Sequence, residues 1–404
     1  MSSLNLCYLL QPLTLICFTM PHASSPMPSG WQQRLQQIVT DRQANGLLRQ
    51  RTVIEPHNGR ELSLAGQRLL QFASNDYLGL AFANEPLAPM GAGASALVSG
   101  YHQAHQQLEQ QLCQLLGFEA ALLFSSGFAA NSAPLALLQA GDRLLADKLI
   151  HASVVDAAQA SAATLRRFPH NNMKVLGRWL GSAPVDGVTM VATESLFSMD
   201  GDQAPLADLV ALCRQHGALS WIDDAHGFGI LGAQGLGASE IAKPDLLTVT
   251  FGKALGASGA ALLGSKAVID AILQSSRHYT YSTAMPADLA QRISLRLQTI
   301  QTCDKRQHLK QLIAEFRRQA AVHNLPLLPS SSPIQPLLCQ NAEHASALAL
   351  QLRREGLFVA AIRPPTVPQA RVRVVLNACH RLDDISRLVV ALATHYHCGE
   401  GADE

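Results

Sequence analysis

Short apolar runs alternating with amphipathic stretches organise most of the chain. Ala121–Phe124, Gly187–Thr193, Leu219–Asp223, Leu246–Phe251 and Gly259–Gly264 have the length and composition of strands buried on both faces. Between them the spacing becomes helical. Residues 101–116 carry Leu108, Leu112, Leu115 and Leu116 on one stripe, with Gly117 placed to cap it, and Leu206–His216 carries Leu206, Leu209, Val210 and Cys213. This alternation predicts an α/β fold with a mixed, mostly parallel sheet covered on both sides. Trp31–Arg49 predicts an N-terminal helix, and Ala152–Ala162 another. Beyond about residue 290 the rhythm changes: a long helical region, a Pro/Ser-rich break at Pro326–Pro336, strands at 336–339, 357–362 and 371–377, and helices at 343–355 and 383–396. That is the outline of a smaller α+β domain. The expected organisation is an extension over 1–30, an N-terminal helix and short strands over 31–75, a large domain over 76–290 and a C-terminal α+β domain over 291–404.

Composition narrows the function. In 404 residues, 48% are apolar and 15% charged, which excludes a disordered chain, and 31 basic against 30 acidic side chains offer no net field to a polyanion. Nucleic acid is not an expected partner. The eight cysteines (7, 17, 113, 213, 303, 339, 379 and 398) contain no C-x-x-C pair and no zinc-site spacing, so they are expected to be reduced thiols of a cytoplasmic protein. Leu4–Phe18 is apolar, but no Lys or Arg precedes Arg34 and Pro12 interrupts the run. A signal peptide or membrane span is therefore not expected; the segment is expected to be disordered or to precede the true start, with Met20 and Met27 as alternatives. Only seven residues are lysine, so a lysine in an unusual local context stands out.

In open α/β sheets ligands sit beyond the carboxyl ends of strands. Four such ends are unusual: Ser126-Gly127-Phe128, Glu194-Ser195-Leu196-Phe197-Ser198, Asp223-Asp224-Ala225-His226-Gly227 and Thr250-Phe251-Gly252-Lys253. A partly desolvated Lys253 would have a lowered pKa and could form a Schiff base with a carbonyl. Asp223 could hold a pyridine nitrogen protonated, as an electron-sink cofactor requires, and His226 could bond a phenolic oxygen of the same ring. Ser126-Gly127-Phe128 offers N–H groups to a phosphate, and Thr250 a hydroxyl. His151 could lie over a cofactor ring and later donate a proton. Arg363, Arg371 and Arg373 could supply a carboxylate fork. Each also has a structural alternative: Asp223 as a helix cap, His226 and His151 as loop histidines, Lys253 and the arginines as solvated side chains. No ligand spacing supports a metal site.

Taken together, Ser74-Asn75-Asp76-Tyr77-Leu78-Gly79-Leu80, Val98-Ser99-Gly100-Tyr101, Ser126-Gly127-Phe128-Ala129-Ala130-Asn131, Phe197-Ser198-Met199-Asp200-Gly201-Asp202, Asp223-Asp224-Ala225-His226-Gly227 and Thr250-Phe251-Gly252-Lys253 closely resemble the α-oxoamine synthases, from about Trp31 to His397. The resemblance implies the pyridoxal 5'-phosphate (PLP) dependent transferase fold type I and decarboxylative condensation of an amino acid with an acyl thioester. It implies Lys253 as the Schiff-base lysine, Asp223 as the pyridine partner, His226 on the phenolic oxygen and His151 as the ring-stacking residue. Gly127, Phe128, Ser198 and Thr250 fall at cofactor-binding positions, and Thr283 at one that reaches across a homodimer interface. Arg49, Thr366 and Arg373 fall at substrate-binding positions, with Arg363 a second carboxylate candidate; Asn75 and Glu194 lie in the site region. Ala361–Pro368 and His170-Asn171 are most similar to the branch that joins L-alanine to pimeloyl-CoA or a pimeloyl-carrier protein, a step towards biotin. Two features depart from the family: the segment between Leu80 and Gly91 is shorter, and Ala96 stands where Arg or Gly is common, both near the expected acyl-chain entrance.

Overall fold

Seven strands form the central sheet of the computed structural model, which describes residues 40, 43–45, 54–56, 60–64, 66–74, 77–79, 92, 94–182, 187–302 and 304–396. In chain order the strands of the protein are β1 (Ile54–Pro56), β2 (Glu61–Leu64), β3 (Gln67–Gln71), β4 (Ala120–Phe124), β5 (Arg143–Asp147), β6 (Thr164–Phe168), β7 (Thr189–Glu194), β8 (Leu219–Asp223), β9 (Leu246–Thr250), β10 (Ala260–Gly264), β11 (Ile334–Leu338), β12 (Leu357–Phe358), β13 (Ala360–Ile362) and β14 (Arg371–Val375). The central sheet has the order β4-β10-β9-β8-β7-β5-β6. Neighbours are parallel except at β10, which runs antiparallel to both β4 and β9. The carboxyl ends of β4, β7, β8 and β9 therefore share one edge.

The interior strands are apolar because both faces are covered. Successive residues alternate between two cores: Leu145, Val191 and Ile222 pack on one face with Leu206, Leu209 and Cys213, while Leu144, Met190 and Trp221 pack on the other with Ile269 and Ile272. The helix Gln103–Leu116 buries Leu108, Leu112 and Leu116, and Gly117, at φ 73°, closes it in the left-handed conformation that disfavours a side chain. Two strands escape the apolar pattern. β6 is an edge strand whose Thr164, Arg166 and Arg167 are exposed, so it lacks a continuous run, and β5 has only Leu144, Leu145 and Ala146 between polar ends.

A second sheet, β11-β14-β13, is antiparallel and is covered by the helices Ala342–Arg354 and Leu382–Tyr396. The short strands β1-β2-β3 join this C-terminal region, since β12 pairs parallel with β3. By packing, the chain divides at Val53, and Ile54–Glu404 forms one compact unit; residue 290 falls inside the helix Ala287–Thr302. The expected helix at Trp31–Arg49 lies largely outside the described residues. Among the described residues no helix is long and apolar enough to cross a membrane, and Cys113, Cys213 and Cys339 are free thiols.

Leu262, fully buried at the centre of β10, tests this arrangement. Leu262→Ala should lower unfolding stability by about 2–5 kcal/mol in urea denaturation, the range for an incompletely collapsing core cavity.

Candidate active site

A cavity of about 510 Å³ opens at the shared strand edge. Lys253, Asp223, Glu194, His226, His151, Ser198, Thr250, Gly127, Phe128 and Arg373 all line it. The sheet explains the grouping: Glu194 and Asp223 are register neighbours on β7 and β8, Thr250 ends β9, and Gly127 follows β4. Arg373 arrives from β14 of the second sheet. A larger groove of about 980 Å³ beside the helix Lys305–Val322 has no acid and no imidazole in its lining, so the chemistry concentrates in the smaller one.

Asp223 is buried and held by two donors, Asn131 Nδ2 at 2.6 Å and the Ala225 N–H at 3.0 Å. Asn131 also donates to Ser153 Oγ at 3.0 Å, and Ser153 Oγ lies 2.7 Å from His151 Nδ1. Because the Ser153 backbone N–H donates to the same Nδ1, at 3.2 Å, that nitrogen is an acceptor and the His151 ring proton resides on Nε2. Neither Asn131 nor Ser153 was assigned a role from the sequence. Asn131 sits in a family-like motif, but only its position one helical turn past Gly127 shows what it does.

His226 is fixed in the same way. Tyr77 lies 2.6 Å from His226 Nδ1 and also bonds to Arg373. A guanidinium only donates, so the Tyr77 oxygen accepts from Arg373 and its O–H goes to Nδ1, leaving the His226 proton on Nε2. Burial, reinforced by the Lys253 and Arg373 cations, holds the His226 pKa well below its ordinary value, and burial holds the Tyr77 phenol above its own. Arg373 Nε donates to the Ser198 carbonyl at 2.6 Å.

Charges in the cavity are balanced against poor solvation. Burial lowers the Lys253 pKa, opposed by Asp223 and Glu194. Burial and the neighbouring Asp223 charge raise Glu194 well above the carboxylate range. Asp224, behind the cavity, accepts from Ser195 Oγ at 2.5 Å and the Ala238 N–H at 2.9 Å, yet burial still pushes it up to about 7.

Other expected site residues are not in this cavity. Arg363 is half-buried with Nη1 3.4 Å from Ser346 Oγ, and Thr366 is exposed on the adjoining turn. Their backbone places them on the turn between β13 and β14, whereas Arg373 lies within β14 and reaches the cavity. Thr283 lines a separate pocket of about 20 Å³ that shares Ser125 with the main cavity. Arg49 and Asn75 lie outside the described residues.

The fold and this site define the class: the chain belongs to the class I and II aminotransferase family, whose model matches residues 67–392. Within it, several similar curated relatives carry the name 8-amino-7-oxononanoate synthase. That of Cronobacter sakazakii is 48% identical over 377 residues, covering 90% of this chain and 98% of that protein. That of Klebsiella pneumoniae is 45% identical over 382 residues, covering 90% and 99%. Among solved structures, a Sphingomonas wittichii serine palmitoyltransferase superposes with TM-score 0.84 at 25% identity, over 93% of this chain and 99% of that one. The Francisella tularensis 8-amino-7-oxononanoate synthase superposes with TM-score 0.69 at 28% identity, over 82% and 99%. An SPT structure with PLP superposes with TM-score 0.83 at 23% identity, over 91% and 98%, and shares the fold.

The amine of Lys253 should be the most nucleophilic lysine of the protein. Its labelling by an acetylating reagent, mapped by mass spectrometry across pH, should titrate with a midpoint below the ordinary 10.5. A midpoint at or above that value would show that burial does not control this amine.

Proposed function

We propose that the chain condenses L-alanine with pimeloyl-CoA or a pimeloyl-carrier protein, releasing CO2 and the free thiol and forming 8-amino-7-oxononanoate, a step of biotin biosynthesis. The observation that carries this reading is that one cavity gathers the amine of Lys253, the doubly bonded carboxylate of Asp223, two imidazoles with assigned protons and the guanidinium of Arg373. Relatives of the same name at 45–48% identity support the particular reaction.

The cavity fits PLP by its chemistry and its walls. At about 510 Å³ it lies in the range of cofactor pockets. A Cβ added at Gly127 would stand 2.8 Å from Thr250 Cγ2, so the wall there tolerates only glycine beside the threonine. Lys253 would attach the cofactor, Asp223 would hold the proton on its ring nitrogen, and His226 would offer Nε2–H to its phenolic oxygen. His151 would lie over the ring, with Gly127, Phe128, Ser198 and Thr250 around it. When bound, PLP supplies a ring that takes up the electron pair left on the amino-acid α-carbon.

The remaining work belongs to the protein. Lys253 Nζ, whose pKa burial lowers, accepts the α-proton of alanine. Arg373, fixed by the Ser198 carbonyl and Tyr77, holds the alanine carboxylate, and a guanidinium fork suits that group. His151 Nε2–H is the proton donor on the other wall, with Nδ1 anchored at Ser153. Arg49, Asn75, Thr366 and Arg363 are further substrate contacts of this reading, Thr283 reaches the cofactor phosphate of a second subunit in a homodimer, and the protein works in the cytoplasm.

Three measurements test this. CoA release from pimeloyl-CoA should be faster with alanine than with glycine; the reverse preference would indicate a sister synthase. Lys253→Ala should abolish turnover with the fold retained, and activity near wild type would refute the assignment. Borohydride should fix the cofactor to Lys253, whereas a non-catalytic relative would not trap it there.

A further inference from the structure

His170 and Asn171, which the proposed chemistry does not use, follow β6 and stand between two carboxylates. His170 Nδ1 is 2.9 Å from Asp147 Oδ1, at the end of β5, and Nε2 is 2.8 Å from Asp202 Oδ2. An ionised carboxylate only accepts, so both ring nitrogens must donate, and only the imidazolium has two N–H groups. Asn171, at φ 53°, donates its backbone N–H to Asp147 Oδ2 at 2.8 Å and Nδ2 to Asp202 Oδ2 at 2.9 Å. Phe197 meets the His170 ring edge-on, with centroids 4.4 Å apart. Burial disfavours the cation, but the bonds to Asp147 and Asp202 outweigh it and raise the His170 pKa to about 10.

Asp202 is the foot of a closed loop. Leu196 bridges Gln203, the Phe197 N–H bonds to the Asp202 carbonyl at 2.9 Å, and the Gly201 N–H bonds to the Phe197 carbonyl at 2.9 Å. The tip of the loop faces the cavity: Ser198 and Met199 line it, and the Ser198 carbonyl accepts from Arg373 Nε at 2.6 Å. The Met199 carbonyl accepts from Arg371 at 3.2 Å. Arg373 thus takes its position from a carbonyl on a loop whose foot is ion-paired, through one imidazolium, to a carboxylate with no exposed surface.

We propose that His170 is a positioning residue that pins the 196–203 loop to the end of β5, so that the Ser198 carbonyl holds Arg373 where it can bind the substrate carboxylate. The inference rests on Arg373 being that carboxylate clamp. It is tested on the PLP-loaded enzyme without acyl donor, by titrating L-alanine and following the cofactor absorbance. His170→Gly should weaken alanine binding by about tenfold to a hundredfold, as expected for a displaced binding group. The His170 side chain is 26% exposed, so added imidazole can reach the vacated place and should restore binding in proportion to its imidazolium fraction. Asp202→Asn, which leaves the Asp147–His170 bond intact, should weaken alanine in the same direction and carries the test if His170→Gly does not fold. Alanine binding within about twofold of wild type in these variants, or rescue that ignores the charge of imidazole, would overturn the inference. If wild type itself gives no response to alanine, the synthase reading fails instead; the pin is then judged on cofactor dissociation through Ser198, which should be faster in both variants and whose constancy would overturn it.

Discussion

The structure depends on how one buried carboxylate is held. Asp223 sits at the end of β8 beside Glu194 and Asp224, both pushed by burial towards their neutral forms; like Asp224 it receives two donors directed at separate oxygens, but it faces the cavity where Asp224 lies behind it. A hydrogen bond to a charged group is worth about 1.5–3 kcal/mol, so the two donors fix the position and orientation of the Asp223 carboxylate among its crowded neighbours. Other groups of the cavity are arranged about that carboxylate. Asn131, which supplies one donor, also fixes Ser153 and through it the tautomer of His151, so the carboxylate on one wall and the ring proton on the other are positioned by a single amide.

The same logic of fixed protons runs through the arginine side. Burial raises the Tyr77 pKa and so favours the neutral phenol, which serves as a one-way connector: it accepts from Arg373 and donates to His226. The two histidines of the cavity are both held with the proton on Nε2 by different neighbours, Ser153 on the helix Ala152–Ala160 and Tyr77 on a turn. A site of this kind needs no reorganisation to present its donors, which is the condition under which buried dipoles are most effective.

Much of this was legible in the residues themselves, because strand ends in a buried sheet are where polar side chains otherwise have no reason to be. Lys253, Asp223, His226, Glu194 and Ser198 stand out that way and line one cavity, and the helix Gln103–Leu116 and its Gly117 cap follow from spacing alone. What escaped has common causes. β6 has no apolar run because an edge strand with exposed arginines does not need one. Asn131 and Ser153 act through other side chains, and no spacing reveals a partner 92 residues away. Arg363, Thr366 and Arg373 lie in one short stretch between the start of the turn after β13 and the middle of β14, and only the direction of β14 separates the one that reaches the cavity from the two that stay on the turn.

The reversal of β10 has a mechanical consequence. Because β9 and β10 are adjacent and antiparallel, Lys253 lies on a hairpin, not a crossover: the Phe251 N–H bonds to the Gly259 carbonyl at 2.9 Å, the Ala257 N–H to the Phe251 carbonyl at 2.7 Å and the Gly256 N–H to the Lys253 carbonyl at 2.9 Å. The amine is on a short leash moored at both ends. An amine that must let go of one partner and act on another within a single turnover gains from such a leash, since recoil cannot carry it beyond reach and its local concentration stays high throughout.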